Sequence, residues 1–211
     1  MNKTLKTGLV VTSLGLLTVL YAFRQEAPLR SGDVIFQTSM SPQCEAVRLA
    51  THSKFSHCGM IWKVKGKDYV LEAVQPVRMT PLDEWITHGE GKKYVVRRLK
   101  NADSLLTGKV LQKMEAEGRK MLGKSYDGYF EWSDDKIYCS ELVWKIYKRG
   151  AGVEAGKLQQ MKEFDLSSKP VKEIIRERYG DNLPVNETVI SPQSVYESSL
   201  FETVRSKYGE K

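Results

Sequence analysis

The stretch Tyr138-Cys139-Ser140-Glu141-Leu142-Val143-Trp144 decides how the rest of the chain is read. Leu142, Val143, Ile146 and Tyr147 recur at near-helical spacing, and Gly150 stands where such a helix would stop. Cys139 then falls in the first turn. There the positive end of the helix and the free backbone N–H groups favour thiolate over thiol. The same N–H groups are placed to hold an oxyanion beside the sulfur. Two readings stand: Cys139 is a nucleophile, or it is a buried structural cysteine.

A thiol nucleophile needs a base within reach and a third group that fixes the base's tautomer. Phe55 to Trp62 reads as a strand entered from a polar turn, and His57 lies where the turn becomes strand. Lys65 to Asp68 is a hairpin loop and Tyr69 to Val74 the returning strand. A turn centred on Lys65 and Gly66 sets Glu72 opposite Gly59. His57 is then a diagonal neighbour of Glu72 on the same face, within side-chain reach. An acid in an otherwise apolar strand is costly unless paired, which makes Glu72 the orienting candidate. The plainer readings are a hydrogen-bonded histidine at a strand start and an edge-strand carboxylate facing water. Cys58 follows His57 directly, so alternation turns it to the opposite face as a core residue. His52 and His88 fall on expected helices and read as surface or packing residues.

Around this pair, Val34 to Phe36 reads as a short strand, and Ser41-Pro42 caps and opens a helix with Cys44, Val47, Leu49 and Ala50 on its inner face. Pro81 to His88 is a short helix closed by Gly89, and Tyr94 to Leu99 a third hairpin-compatible strand. Asp103 or Ser104 caps one long helix to about Leu122, stopped by Gly123. Ser125 to Ile137 is an aromatic, acidic loop feeding into Cys139. Helices are expected over 157–163 and 171–178, a helical turn from Ser191-Pro192 to Tyr196, and a closing strand over 200–204.

The chain of 211 residues is long enough for one domain with a real core. Gly8 to Phe23 is an uncharged run of 16 residues behind Lys3 and Lys6. That is the layout of a secretory leader, and it is short of the ~20 residues of a comfortable membrane span. Residues 1–28 therefore read as a signal peptide or N-terminal membrane anchor. Residues 29–211 form the folded domain, exported to the periplasm or anchored at the outer face of the cytoplasmic membrane. Losing Lys3 and Lys6 with residues 1–22 takes the net charge from +7 to +5. That excess suits anionic surfaces. No arginine-rich run, finger spacing or RNA-binding signature argues for nucleic acid. Cys44, Cys58 and Cys139 show no CxxC spacing. Cys44 and Cys58 either pair or stay thiols, and no metal is called for.

Five separated segments appear together in order: residues 32–36 (Gly-Asp-Val-Ile-Phe), 56–60 (Ser-His-Cys-Gly-Met), 71–73 (Leu-Glu-Ala), 123–127 (Gly-Lys-Ser-Tyr-Asp) and 138–143 (Tyr-Cys-Ser-Glu-Leu-Val). In these segments the chain resembles the permuted NlpC/P60-like cysteine hydrolases, the YiiX-type group of the papain-like superfamily. The resemblance spans about residues 31–205. It implies an α+β fold, with an antiparallel sheet packed against the helix bearing the nucleophile. It implies a Cys-His-Glu triad of Cys139, His57 and Glu72, with the histidine ahead of the cysteine in the chain. Tyr126, Asp127 and Tyr138 in the matched segments are the candidate substrate contacts.

The function expected is that of an exported cysteine hydrolase, amidase- or peptidase-like, working without cofactor through a Cys139 acyl-enzyme. It would cleave an amide or ester, with cell-wall peptides as one substrate class and lipid acyl groups as another. A non-catalytic envelope module binding a small amine or peptide in the same cleft is the alternative of a different class. A zinc site built from Cys139, His57 and Glu72 is a third, weakened by the lack of short ligand spacing.

Overall fold

The computed structural model describes residues 26–208, so the proposed leader falls almost wholly outside it. Six antiparallel strands form one sheet: β1 (Val34–Gln37), β2 (His57–Val64), β3 (Lys67–Glu72), β4 (Arg78–Pro81), β5 (Val95–Leu99) and β8 (Phe201–Ser206), in the order β4-β3-β2-β1-β5-β8. A separate two-stranded ribbon joins β6 (Gln159–Gln160) to β7 (Thr188–Val189). The helices are α1 (Pro42–Thr51), α2 (Leu82–Thr87), α3 (Ala102–Leu105), α4 (Gly108–Met121), α5 (Cys139–Ile146), α6 (Lys169–Tyr179) and α7 (Pro192–Glu197).

Alternation along the central strands builds two layers. Val34, Phe36, Cys58, Met60 and Leu71 join Leu142, Val143 and Ile146 of α5 in the larger core. Ile35, Ile61, Val70 and Val96 pack instead on Trp85 of α2. Leu142, Val143 and Ile146 are fully shielded from water. At about 1.5–3 kcal/mol per large apolar side chain, this burial fixes how α5 lies on the sheet. The α+β arrangement expected from the resemblance is the one found, with the Cys139 helix packed on an antiparallel sheet.

The β2–β3 register pairs Met60 with Leu71 and Ile61 with Val70, the register of a turn centred on Lys65 and Gly66. Both turn residues have positive φ, 50° and 79°, as a two-residue hairpin turn requires. Gly59 is obligatory beside it. A Cβ there would lie 2.5 Å from Val70 Cγ1 and 2.9 Å from the Leu71 carbonyl.

Several expected elements differ. The long helix over 103–122 is two, because Thr107 adopts an extended conformation and caps α4 by accepting the Val110 N–H. Residues 157–163 form β6 and a 3-10 turn, since the backbone of 159–160 pairs with 188–189 instead of with itself. α5 does not stop at Gly150. It widens into a π turn over Tyr147–Ala151 and ends at Gly152, whose φ is 72°. Gly150 serves a close approach: a Cβ there would sit 2.6 Å from Met114 Cα of α4. α1 buries Ala46 alone, while its other apolar residues are half-exposed because it packs on α6 and not on the sheet. β5 forms no hairpin with its predecessor but lies between β1 and β8. Strand β4 was not expected; its Pro81 is tolerated at the end of an edge strand. Among the described residues no helix is long and apolar enough to cross a membrane.

Candidate active site

α5 begins at Cys139, with Tyr138 as the extended residue before it. The helix therefore presents its unpaired first-turn N–H groups beside the sulfur. Strand β2 begins at His57, whose ring stacks on Trp85 with centroids 5.9 Å apart. His57 Nε2 lies 2.6 Å from Glu72 Oε2. The diagonal relation across the hairpin is thus realised as a hydrogen bond. With Nε2 engaged, Nδ1 is the ring nitrogen left to serve the Cys139 sulfur, which helps to raise the imidazole.

The other Glu72 oxygen, Oε1, accepts the Thr80 hydroxyl at 2.6 Å. Thr80 in turn accepts from Arg78 Nε at 3.2 Å. Glu72 and Thr80 are each 1% exposed, so the carboxylate is held by β4 as well as by the histidine. Thr80 was missed in the sequence because β4 was missed. The pairing of Val70 with Thr80 makes it the diagonal neighbour of Glu72 on the far side from His57.

The electrostatics follow from these contacts. Burial opposes a charge on His57, but its bonds to Cys139 and Glu72 win and push its pKa up to about 10. Burial also opposes ionisation of Glu72. The His57 bond and charge, the Thr80 bond and the Arg78 charge outweigh it and hold the carboxyl below its ordinary range. The Cys139 thiol is held well below an ordinary thiol, by its bond to Cys58 first and then by the His57 bond and charge, against the cost of burial. Cys58 is the residue that sequence alternation placed in the core, and it is fully buried there. The same face carries α5, so its thiol meets Cys139, and burial with the facing sulfur pushes it well above the usual thiol range. All three cysteines are free thiols, so Cys44 and Cys58 do not pair.

Cys139 and Ser140 form part of the wall of a cavity of about 100 Å³, roofed by α1, α6 and the 126–138 loop. The surface it exposes is almost all apolar, from residues such as Val47, Ala50, Phe164, Ile174, Ile175 and Val189, although Gln43, Thr51, Ser56, Arg178 and Ser191 also line it. Tyr126 and Tyr138 both line it. The Tyr138 hydroxyl accepts the Ile190 N–H at 3.0 Å, and burial holds it protonated. The Tyr126 hydroxyl accepts from Gln43 Nε2 at 2.7 Å. Burial and the nearby Cys139 charge hold it protonated too. Asp127 corrects the expectation of a substrate contact. It is fully buried, and its two oxygens accept the N–H groups of Tyr129 at 2.8 Å and Glu131 at 2.7 Å. Both carboxylate oxygens are used by the loop's own backbone, so Asp127 shapes the loop and does not face the cavity.

Two ion pairs of one lysine support the helix from behind. Lys145 Nζ lies 2.6 Å from Glu141 Oε1 and 2.8 Å from Asp134 Oδ1, tying α5 to the preceding loop. Burial pushes Glu141 up to about 7 even against the Lys145 charge. Among the described residues no group of three or more His, Cys, Asp or Glu side chains converges as a metal site. Both Glu72 oxygens and His57 Nε2 have protein partners.

The chain is 45% identical over 204 residues to YiiX of Escherichia coli strain K12, covering 97% of this chain and 98% of that protein. It is similar to the crystal structure of YiiX from Escherichia coli O157:H7, described there as a metalloprotein, with a TM-score of 0.81 and 48% identity over 85% of this chain and 98% of that one. The family model of the permuted papain-like amidase enzymes, YaeF/YiiX, C92 family, matches residues 28–205. The chain belongs to that family of permuted papain-like amidases.

Proposed function

We propose that this enzyme hydrolyses an amide or ester whose acyl group is an apolar chain, with Cys139 as nucleophile, His57 as acid and base, and Glu72 as the group that orients His57. The observation that carries the reading is the thiol's position in the wall of an almost wholly apolar cavity. The Cys139 thiolate attacks the acyl carbon, and the carbonyl becomes an oxyanion. The first-turn N–H groups of α5 and the Tyr126 hydroxyl supply its donors. The His57 imidazolium protonates the leaving nitrogen or oxygen as the C–N or C–O bond breaks, leaving a thioester. His57 then takes a proton from water, the hydroxide displaces the thiolate, and the acid departs.

A cell-wall peptide would bring charges into a cavity offering them few polar partners, and burying an unpaired charge is costly. The lipid acyl alternative fits the wall better. Export of the domain behind residues 1–28 would set the cavity beside membrane lipids, and that location is part of the proposal. The metalloprotein description belongs to the relative, and no step here runs through a metal.

Chain length tests the reading. Each CH2 buried contributes about 0.8 kcal/mol, so four of them raise kcat/KM by at most about 200-fold. p-Nitrophenyl octanoate should therefore acylate Cys139 far faster than the butyrate, with the adduct located by mass spectrometry. Ala50→Phe, which fills the cavity from α1, should cancel the preference. A flat chain-length profile would sink the apolar-acyl assignment, and absence of any adduct at Cys139 would favour the binding module.

A further inference from the structure

The polar groups beside the cavity form a chain that runs away from Cys139 and joins three separate elements. Arg178 of α6 donates from Nη2 to Gln43 Oε1 of α1 at 2.6 Å, and Gln43 Nε2 donates to the Tyr126 hydroxyl oxygen at 2.7 Å. Arg178 is itself anchored by the Gly128 carbonyl and lies over the Phe130 ring, 5.7 Å from its centroid. A guanidinium only donates, so it must face the amide oxygen of Gln43. The amide NH2 is thereby turned to Tyr126, whose oxygen must accept. Nothing is then left for the Tyr126 proton in that direction. Tyr126 shares the cavity wall with Cys139 and feels its charge. Its backbone is pinned by an N–H bond to Gln75 Oε1 at 2.6 Å and by the bridge to Ile137.

We propose that Gln43 and Arg178 are positioning residues that set the polarity of this chain, so that the Tyr126 O–H is aimed at the oxyanion formed on Cys139. The proposal rests on the hydrolase reading above. It assigns a task to two residues that touch no reacting atom and carry no signal in the sequence.

Gln43→Glu reverses the polarity at almost constant shape. Arg178 keeps its acceptor, while the second carboxylate oxygen faces Tyr126 as an acceptor and draws the Tyr126 proton away from Cys139. Two reactions of the same thiol in the full chain separate this effect from damage. In acylation by p-nitrophenyl octanoate a C–S bond forms, the C–O bond breaks, and p-nitrophenolate leaves with the electron pair after a tetrahedral oxyanion. Alkylation by iodoacetamide displaces iodide directly and forms no oxyanion.

Gln43→Glu is expected to slow acylation about 10- to 100-fold, and Tyr126→Phe about 10²- to 10³-fold as the loss of a complete oxyanion donor. Both should leave alkylation within about twofold, and the double variant should be no slower than Tyr126→Phe alone. Wild-type acylation by Gln43→Glu, or equal slowing of acylation and alkylation, would overturn the relay. Failure of the wild-type chain to acylate Cys139 while alkylating it normally would overturn the hydrolase reading, and the relay with it.

Discussion

Cys139→Ser is expected to leave the fold intact and to lower hydrolysis by on the order of 10⁴-fold or more, with no acyl adduct at position 139. The substitution changes one buried atom and keeps its size nearly the same, so packing around α5 is preserved. It changes the acid–base chemistry completely. The wild-type sulfur is held well below an ordinary thiol by the Cys58 bond and by His57, so it meets substrate as a thiolate. A serine hydroxyl is far too weak an acid to be ionised by the same neighbours. A site tuned to stabilise a preformed thiolate–imidazolium pair is not tuned to move a proton during attack. Burst measurements with p-nitrophenyl octanoate, followed by intact-mass analysis, check both halves of the expectation. Retention of more than a few per cent of the burst would assign the nucleophile elsewhere.

The second large effect is expected of Glu72→Gln, a fall in kcat of about 10²- to 10⁴-fold with little change in KM. The hydrogen-bond directions around Glu72 say why. Arg78 Nε occupies the Thr80 oxygen, so the Thr80 proton points at Oε1. An introduced amide therefore turns its oxygen to Thr80 and its NH2 to His57 Nε2. That nitrogen becomes an acceptor, the ring proton moves to Nδ1, and the imidazole can no longer take a proton on the side of Cys139. The same substitution carries a pH signature. His57 is raised above its ordinary 6.5, so its contribution to stability is complete below pH 6.5 and is lost as pH rises through about 10. Glu72 is lowered from its ordinary 4.5, so its contribution is present above pH 4.5 and is lost as pH falls through its folded value. The thermal stability lost in Glu72→Gln should be largest between about pH 4.5 and 6.5 and shrink on either side. A loss independent of pH would mean that no ion pair had been broken.

Much of this site was legible because it depends on local rules. A Lys65-Gly66 turn allows one register, and that register alone carries Glu72 to His57. The apolar spacing after Cys139 placed the sulfur at a helix start. What was not legible depends on pairing between distant segments. Thr80 reaches Glu72 only once β4 is known to pair with β3, and Pro81 disguises that strand. The contact of Cys58 with Cys139 follows from α5 choosing the face opposite His57's neighbours, which the alternation of β2 does not decide. Asp127 and its loop bonds show the limit from the other side, since an acid beside a site is as readily used by backbone N–H groups as by substrate. Gln43 and Arg178 meet across 135 residues, and nothing in their own surroundings announces it.

The reactivity of the three cysteines at about pH 6 tests the thiolate–imidazolium pair most directly. An ordinary thiol is roughly 0.3% ionised there, and exposure alone would favour the half-buried Cys44 over the buried Cys58 and Cys139. A limiting pulse of iodoacetamide, followed by peptide mapping, should label Cys139 ahead of both others in the wild-type chain. It should spare Cys139 in His57→Ala. Equal sluggishness at all three cysteines, or labelling of Cys139 that survives the loss of His57, would contradict the proposed nucleophile and base.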